Sequence, residues 1–486
     1  MVERRQLVRS QSLVEGLTLF FLLVAVTAGA QPVVTGTVSN STRVEAWSYF
    51  QPRDHVFDPT GDPNYSFLGD RFDIGASVEG ARFDLSGAFN YVRLENLPKH
   101  AIGPGGFGTG AFYFAASGVN YSYQLYLSGI TARVKWNEAR RSLTFGRMAF
   151  SSGSASADAS AGQALLAERL TSRLLGNFEA SLYQRRFDGA RFDAEGSAWH
   201  FTSAAFVPTQ GGYEESTNLS MPRVQVGAAE WTGRRSHDQY QVFTYGYRDR
   251  RRNTAVVDNS ASLDRPVDIT IATFGGSYAR ISPAPHAQVD TLVWAAAQAG
   301  DWYGASHRAA SVAAEGGYRW MSIGWRPWLR AGYLWASGDK NPGDDTHGTF
   351  FPMLPSSQQY DASAVYTQMN VRDLFAQLLV EPRRLRARIE VHKVDVASGL
   401  DLWYQGSGAT ASRDRFFGFS GRFAGGDTSL GTLVEGAVDV PLRSHWSIHV
   451  SAAHMSAGDV VRHFFTDKPL TTFSIENVIR FDGRNP

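Results

Sequence analysis

Arg384, Arg386, Arg388 and Glu390 take every second position of the segment Arg384-Leu-Arg-Ala-Arg-Ile-Glu-Val391, and His392 extends the row. A guanidinium is a rigid fork of donors that fits a carboxylate, and the Glu390 carboxylate is the kind of group that holds such a fork in position. A row of this type suits recognition of anions rather than bond making. Leu385, Ala387, Ile389 and Val391 fill the positions between. Side chains on a strand alternate faces, so the segment reads as a strand with one charged and one apolar face. In a soluble sheet the apolar row meets a core. In a membrane-spanning sheet it meets lipid, and the arginines line water.

Other chemistries find little support. The chain carries no HExxH, GxSxG or Walker pattern and no cysteine, which excludes disulfides, thiol catalysis and cysteine-ligated metals. His392, His449 and His454 each sit alone in an alternating segment and read as structural or solvated. Asp344, Asp345 and His347 could suggest a metal but lie in a Gly/Pro-rich stretch that reads as loop. No enzyme activity, metal or other cofactor is expected. What remains is arginine at one parity: Arg82, Arg147, Arg191, Arg330, Arg386, Arg388 and Arg480, interleaved with Asp84, Asp188 and Glu390. In a narrow pore such a row concentrates anions. The competing reading is an Arg–Asp network that only stiffens a wall.

These residues need elements to position them. The 486-residue chain has 47 Lys+Arg, 46 Asp+Glu, 48 Gly and 13% aromatics. Its mean hydropathy of −0.25 is far too polar for a bundle of membrane helices. Arg4, Arg5 and Arg9, the apolar stretch 17–26 and Ala28-Gly29-Ala30 read as a signal peptide over 1–30, cut before Gln31. That leader holds three arginines against two glutamates, so its loss leaves 31–486 near neutral, with no support for a nucleic-acid partner. Period-2 segments then recur about eighteen times, the first near Arg43 and the last near Thr471. Leu329, Ala331, Tyr333 and Trp335, for example, alternate with Arg330, Gly332 and Leu334. Short connections (193–196, 233–236, 381–384, 441–445) alternate with long ones (51–65, 97–118, 338–363, 397–428). An even strand count puts both termini at the short-turn end.

The expected fold is therefore all-β: a closed antiparallel transmembrane β-barrel of about 18 strands with short periplasmic turns and long extracellular loops, filling 31–486 as one domain. Trp47, Tyr49, Trp136, Trp320, Trp325, Trp328, Trp335 and Trp446 fall near strand ends and suggest interfacial girdles. Phe473, Ile475, Ile479 and Phe481 share one parity in the last strand. One stretch breaks the pattern: a Ser/Ala/Gly run at 151–161, then Leu165, Leu166, Leu170 and Leu174 at helical spacing. It is expected as a loop with a helical turn packed on the rim; a helix folded into the pore is the alternative.

Four ordered motifs carry a resemblance. They are Leu143-Thr-Phe-Gly-Arg147; Arg186-Phe-Asp-Gly-Ala-Arg191-Phe; Leu334-Trp-Ala-Ser-Gly-Asp339 followed by Gly348-Thr-Phe350; and Asn370-Val-Arg-Asp-Leu374 ahead of Pro382. In this order and spacing the chain resembles the alginate export family of outer-membrane barrels. The resemblance implies an eighteen-stranded monomeric barrel whose electropositive pore passes a polyuronate, and it implies pore-lining roles for Arg147, Arg186, Asp188 and Arg191. Asp339 and Asn370 are read as structural positions at strand ends. Where the family pattern expects Tyr-Gly after Gly-Arg, this chain has Ala149-Phe-Ser-Ser-Gly153.

The resulting expectation is an outer-membrane channel that passes an anionic polysaccharide or oligosaccharide by diffusion. Its pore would be lined by Arg147, Arg186, Arg191, Arg330, Arg386 and Arg388, with Asp188 and Glu390 holding the guanidiniums. Outer-membrane lipid, lipopolysaccharide and periplasmic export or assembly proteins are the expected further partners. The alternative is a general porin for small or neutral solutes, with the arginines as scaffold.

Overall fold

The computed structural model describes residues 32–483 except 54–61, 102–107, 155–160, 253–257, 259–265, 357–362, 384 and 412–416. The expected signal peptide, Arg384 and part of the Ser/Ala/Gly run lie outside the described residues. The chain runs through β1 (Val33–Ser48), β2 (Asn64–Glu79), β3 (Phe83–Glu95), β4 (Tyr121–Trp136), β5 (Arg141–Met148), β6 (Phe187–Glu195) and β7 (Trp199–Pro208). It continues through β8 (Val224–Arg235), β9 (Asp238–Asp249), β10 (Ile269–Ala284), β11 (Ala287–Trp302), β12 (Ala305–Trp320), β13 (Trp328–Ala336) and the short β14 (Thr346–His347). Then come β15 (Val371–Val380), β16 (Arg386–Asp395), β17 (Leu402–Gly406), β18 (Phe419–Phe423), β19 (Ser429–Arg443), β20 (Trp446–Ala457) and β21 (Leu470–Asp482).

Eighteen of these form a closed antiparallel barrel in which each strand pairs with the next along the chain. β21 pairs back onto β1, with Ile475 opposite Val44, so the ring has no open edge. β14 lies parallel to β12 at its Ser306–His307 end without joining the ring, and β17 and β18 form a separate hairpin inside the loop 396–428. No helix among the described residues is long and apolar enough to cross a membrane. Turns at the periplasmic end are short throughout. At the other end the connections are long, with one exception: Tyr303-Gly304 alone join β11 to β12.

Sidedness follows the alternation. Leu329, Leu374, Leu378, Ile389 and Val391 are exposed on the outside of the ring, whereas Arg330, Asp373, Gln377, Glu390 and His392 are buried on the inside. Cross-strand register stacks the apolar row, with Leu329 opposite Leu378 and Leu378 opposite Ile389. Period 2 ties each side chain to one face, so a slip of one residue in β16 would turn Arg386 and Arg388 into lipid. The expected girdle is present in part. Trp136, Trp325 and Trp446 are exposed near periplasmic turns, joined there by Trp199 and Trp231. Trp47, Tyr49 and Trp328 instead point inward and are buried; the indole N–H of Trp328 donates to Asp290 at 2.6 Å. Proximity to a strand end did not specify the face.

The segment 149–186 is not on the rim. It folds into the barrel and reaches several walls. Ala180 accepts from Arg43 of β1 at 2.8 Å, and the N–H of Gly153 donates to Glu230 of β8 at 3.4 Å. Arg173 stacks over Trp294 of β11, and Arg169 bonds Glu315 of β12. The physical reason is its apolar content. Leu166, Leu170, Leu174, Leu175 and Leu182 are buried, each worth roughly 1.5–3 kcal/mol when removed from water. A rim position would leave much of that surface wet. The helix Ala161–Glu168 starts the descent. Gly153 permits the tight entry: its φ is +69°, and a Cβ there would lie 2.6 Å from the carbonyl oxygen of Leu170.

Candidate functional site

The infolded segment divides the lumen. On one side, against β4 to β8, is a cavity of about 410 Å³ lined by Arg133, Arg140, Arg191, Asp193, His200 and Glu230. On the other side are two cavities of about 270 and 200 Å³ that share Arg388, Ala437 and His449. The first is lined by Arg43, Glu45, Glu179, Glu435 and Glu476. The second is lined by Glu168, Arg169, Arg330, Arg386 and Asp439. Acidic and basic side chains thus face the same water.

The structure sorts the expected arginines into three kinds. Arg330 is scaffold: its side chain is 3% exposed and held by Asp290 and Glu315 at 3.1 and 3.0 Å. Arg386 and Arg388 are loosely held, 39% and 36% exposed, at 3.3 Å from Asp439 and 3.9 Å from Glu390. Arg191 faces the larger cavity and bonds Asp193 at 2.8 Å. Arg186 turns inward beside β4, donating to the Ser128 carbonyl at 2.9 Å and the Gln184 side chain at 3.0 Å. Glu390 is buried, accepting from Gln377 and from Arg169 at 3.4 Å. The expected set is therefore not one ring: Arg191 stands in one compartment and Arg330, Arg386 and Arg388 in the other.

Arg147 and Asp188 require a correction. They bond each other at 2.7 and 2.8 Å. Their neighbours in register are Ile130 and Val207, on the row that also carries the exposed Phe145. The pair therefore stands on the outer face near the extracellular rim, where Asn218 and Ser220 also reach it. Gly146, between Phe145 and Arg147, has φ +115°, and a Cβ would lie 2.1 Å from the Ile130 carbonyl oxygen, so the motif glycine is a backbone requirement. Arg82 sits in the turn between β2 and β3, also off the wall. Asp339 and Asn370 bond loop backbone: Asn370 donates to the carbonyls of Ser398 and Leu402 at 2.9 Å.

Several important residues escaped the sequence reading. Glu315, fully buried on β12, gathers Arg169 at 3.1 Å, Arg173 at 3.7 Å and Arg330 at 3.0 Å. Arg169 and Arg173 lie in the segment that broke the strand pattern, where parity says nothing. Arg185 donates to the carbonyls of Leu354, Ser407 and Ala409 at 3.0, 2.8 and 3.1 Å, joining three loops. Burial lowers its pKa to about 10. Glu168 faces Arg386 and Arg388; burial raises its carboxyl against their pull. Burial also works to raise Glu179, but hydrogen bonds from Ser356, its own backbone, Asn177 and Ser151 hold it below the usual carboxylate range. His347, once weighed as a metal ligand, pairs with His307 at 2.8 Å and stacks on Trp302. Burial depresses it to about 3, so it is neutral.

Residues 137–466 match the alginate export family. The chain belongs to the alginate export family. No curated protein sequence matches it. In fold it is similar to OccK5 (OpdH) of Pseudomonas aeruginosa, at TM-score 0.56 and 9% identity over 92% of this chain and 98% of that one. OccAB3 of Acinetobacter baumannii is similar at TM-score 0.53 and 10% identity, over 92% and 99% of the two chains. OpdK of Pseudomonas aeruginosa, solved with vanillate, is similar at TM-score 0.51 and 10% identity, over 92% and 98%. Family and fold make this alginate export family member a porin-like channel of the bacterial outer membrane.

Proposed function

We propose that the channel passes anionic saccharides of the polyuronate type by passive diffusion, with Arg386 and Arg388 as exchangeable carboxylate sites. One observation carries this reading. Arg386 and Arg388 are more than one-third exposed to the passage and stand 3.3 and 3.9 Å from their carboxylates, whereas Arg330 is 3% exposed and doubly held. A guanidinium held at that length can trade an internal carboxylate for one on a ligand. Monomeric assembly, contacts with lipid and lipopolysaccharide, and periplasmic export or assembly partners belong to the same proposal.

The test is a charge reversal. Arg386→Glu/Arg388→Glu should move the reversal potential in a salt gradient from anion towards cation preference. Retained anion selectivity in the folded double variant would remove the role given to β16.

A second reading, a channel for small solutes, is favoured by the cavity sizes. Spaces of about 270 and 200 Å³ beside the infolded segment match a small molecule better than a polymer. Current block by uronate oligomers against neutral sugars of equal length separates the two. Block by the uronates alone supports the first reading, and equal block supports the second.

A further inference from the structure

We propose that Glu390, His392 and Glu435 form a binding site for a divalent transition-metal ion, zinc(II) being the probe, on the lumen wall between β16 and β19. Glu390 and His392 are two residues apart on β16 and so share a face. Glu435 lies directly opposite Glu390 in the register of β16 and β19. One potential ligand atom from each of the three lies within 4.8 Å of the other two, and all three residues are buried. Ligands of tetrahedral zinc stand about 2.1 Å from the ion and hence about 3.4 Å apart. To hold the ion the three ligand atoms have to draw together from within 4.8 Å to that spacing.

The histidine points independently to an ion. Its Nδ1 lies 3.0 Å from Asp373, a carboxylate on β15, which fixes the tautomer with the proton on Nδ1. The other nitrogen, Nε2, is a buried lone pair with no hydrogen-bond partner among the described residues, on a side chain with no exposed surface. Protonating Nε2 does not resolve this, because the proton would be a buried donor without an acceptor. A carboxylate behind an imidazole whose other nitrogen is bare is the arrangement that orients a histidine towards a metal.

Charge points the same way. Two glutamates directly opposite each other in a sheet repel. Arg169 and Arg388 approach Glu390 at 3.4 and 3.9 Å, contacts long enough for an ion to compete with. Glu435 also lines the passage, which gives an ion a route in. One imidazole with two carboxylates suits zinc or another first-row divalent ion, whereas calcium and magnesium favour oxygen-only shells.

The test uses untagged, full-length, metal-stripped protein in detergent, titrated calorimetrically with zinc at neutral pH. One site per chain is expected. His392→Ala and Glu435→Gln should each weaken binding at least tenfold, and Asp373→Asn by about 10–100-fold. Heat-dependent gel migration verifies that each variant is folded. Should His392→Ala fail to fold, copper(II) EPR decides. A single-imidazole spectrum in the wild type that is lost in Glu435→Gln supports the site; the same spectrum in both, or none in the wild type, overturns it. Absence of zinc uptake, or uptake unchanged in the folded variants, also overturns it.

Discussion

Replacing Arg169 with Met tests whether the infolded segment is the resistance to flow. Arg169 is 7% exposed and donates to Glu315 at 3.1 Å and to Glu390 at 3.4 Å. Its guanidinium carbon also lies 4.8 Å from the centre of the Phe375 ring. Breaking a buried pair so that a charge is orphaned costs about 3–5 kcal/mol. Here Glu315 keeps Arg330 at 3.0 Å and Arg173 at 3.7 Å, and Glu390 keeps Gln377, so that full penalty does not apply. A hydrogen bond to a charged group is worth about 1.5–3 kcal/mol. Two are lost, while methionine retains apolar contact with Phe375. The net loss of docking energy is then about 3 kcal/mol or more, which raises the undocked population at least roughly 150-fold. Single-channel recordings in planar bilayers should show more frequent and longer visits to a larger conductance. Recordings indistinguishable from the wild type, in a variant that remains folded, would refute both the docking energy and the role of the segment.

Two further outcomes follow from groups outside the passage. His347, depressed by burial to about 3 from an ordinary value of 6.5, is held neutral in the loop 337–370. A depressed histidine contributes docking stability that is present above pH 6.5 and lost as pH falls towards 3. Because its ring stacks on Trp302 at 4.1 Å, tryptophan emission should change across that window in the wild type and less in His347→Phe, where His307 still stacks on Trp302 at 5.9 Å; matching titrations would contradict the assignment. Arg147→Gln breaks the outward pair with Asp188 and the bonds to the Leu127 and Asn218 carbonyls, so it should cost about 1–3 kcal/mol of barrel stability and leave the reversal potential unchanged. A selectivity shift would return Arg147 to the passage.

The barrel was legible because each strand has to keep one row in lipid and one in water. Ile389 and Val391 against Glu390 and His392, or Leu329 and Tyr333 against Arg330, state the two faces without any tertiary information. β1 was placed near Arg43 but begins at Val33, since Thr-Gly-Thr-Val-Ser-Asn-Ser-Thr carries no apolar alternation and pairs through backbone and side-chain hydrogen bonds to β2. The site was only partly legible. Parity at β5 and β6 could not be fixed from motifs, because Phe-Gly-Arg places Phe145 and Arg147 on the same outer row. The infolded segment was misplaced because its strand-breaking composition reads alike for a rim loop and a plug. Only the opposite wall, with Glu315 and Glu390 waiting for Arg169, distinguishes them, and those acids are 146 and 221 residues away.

Pairing also determines how an anion could be favoured by a channel whose net charge is near zero. The passage side of the lumen carries Arg43, Arg386 and Arg388 together with Glu179, Glu435 and Asp439, so no bare positive field drives entry. An entering carboxylate has to take a guanidinium from an internal carboxylate. At an effective dielectric constant near 20, two unit charges about 4 Å apart attract by about 4 kcal/mol whichever carboxylate supplies the negative one. The exchange is therefore nearly balanced, and what remains is the small difference in geometry between a contact of 3.3–3.9 Å and a well-formed bidentate pair. Sites of that kind bind weakly enough to release, which conduction requires, and still reject a neutral solute that cannot replace the internal acid. The buried arginines contribute differently: Arg330, doubly held at 3.1 and 3.0 Å, and Arg169, bonded to Glu315 at 3.1 Å, hold the wall and the infolded segment while Arg386 and Arg388 do the exchanging.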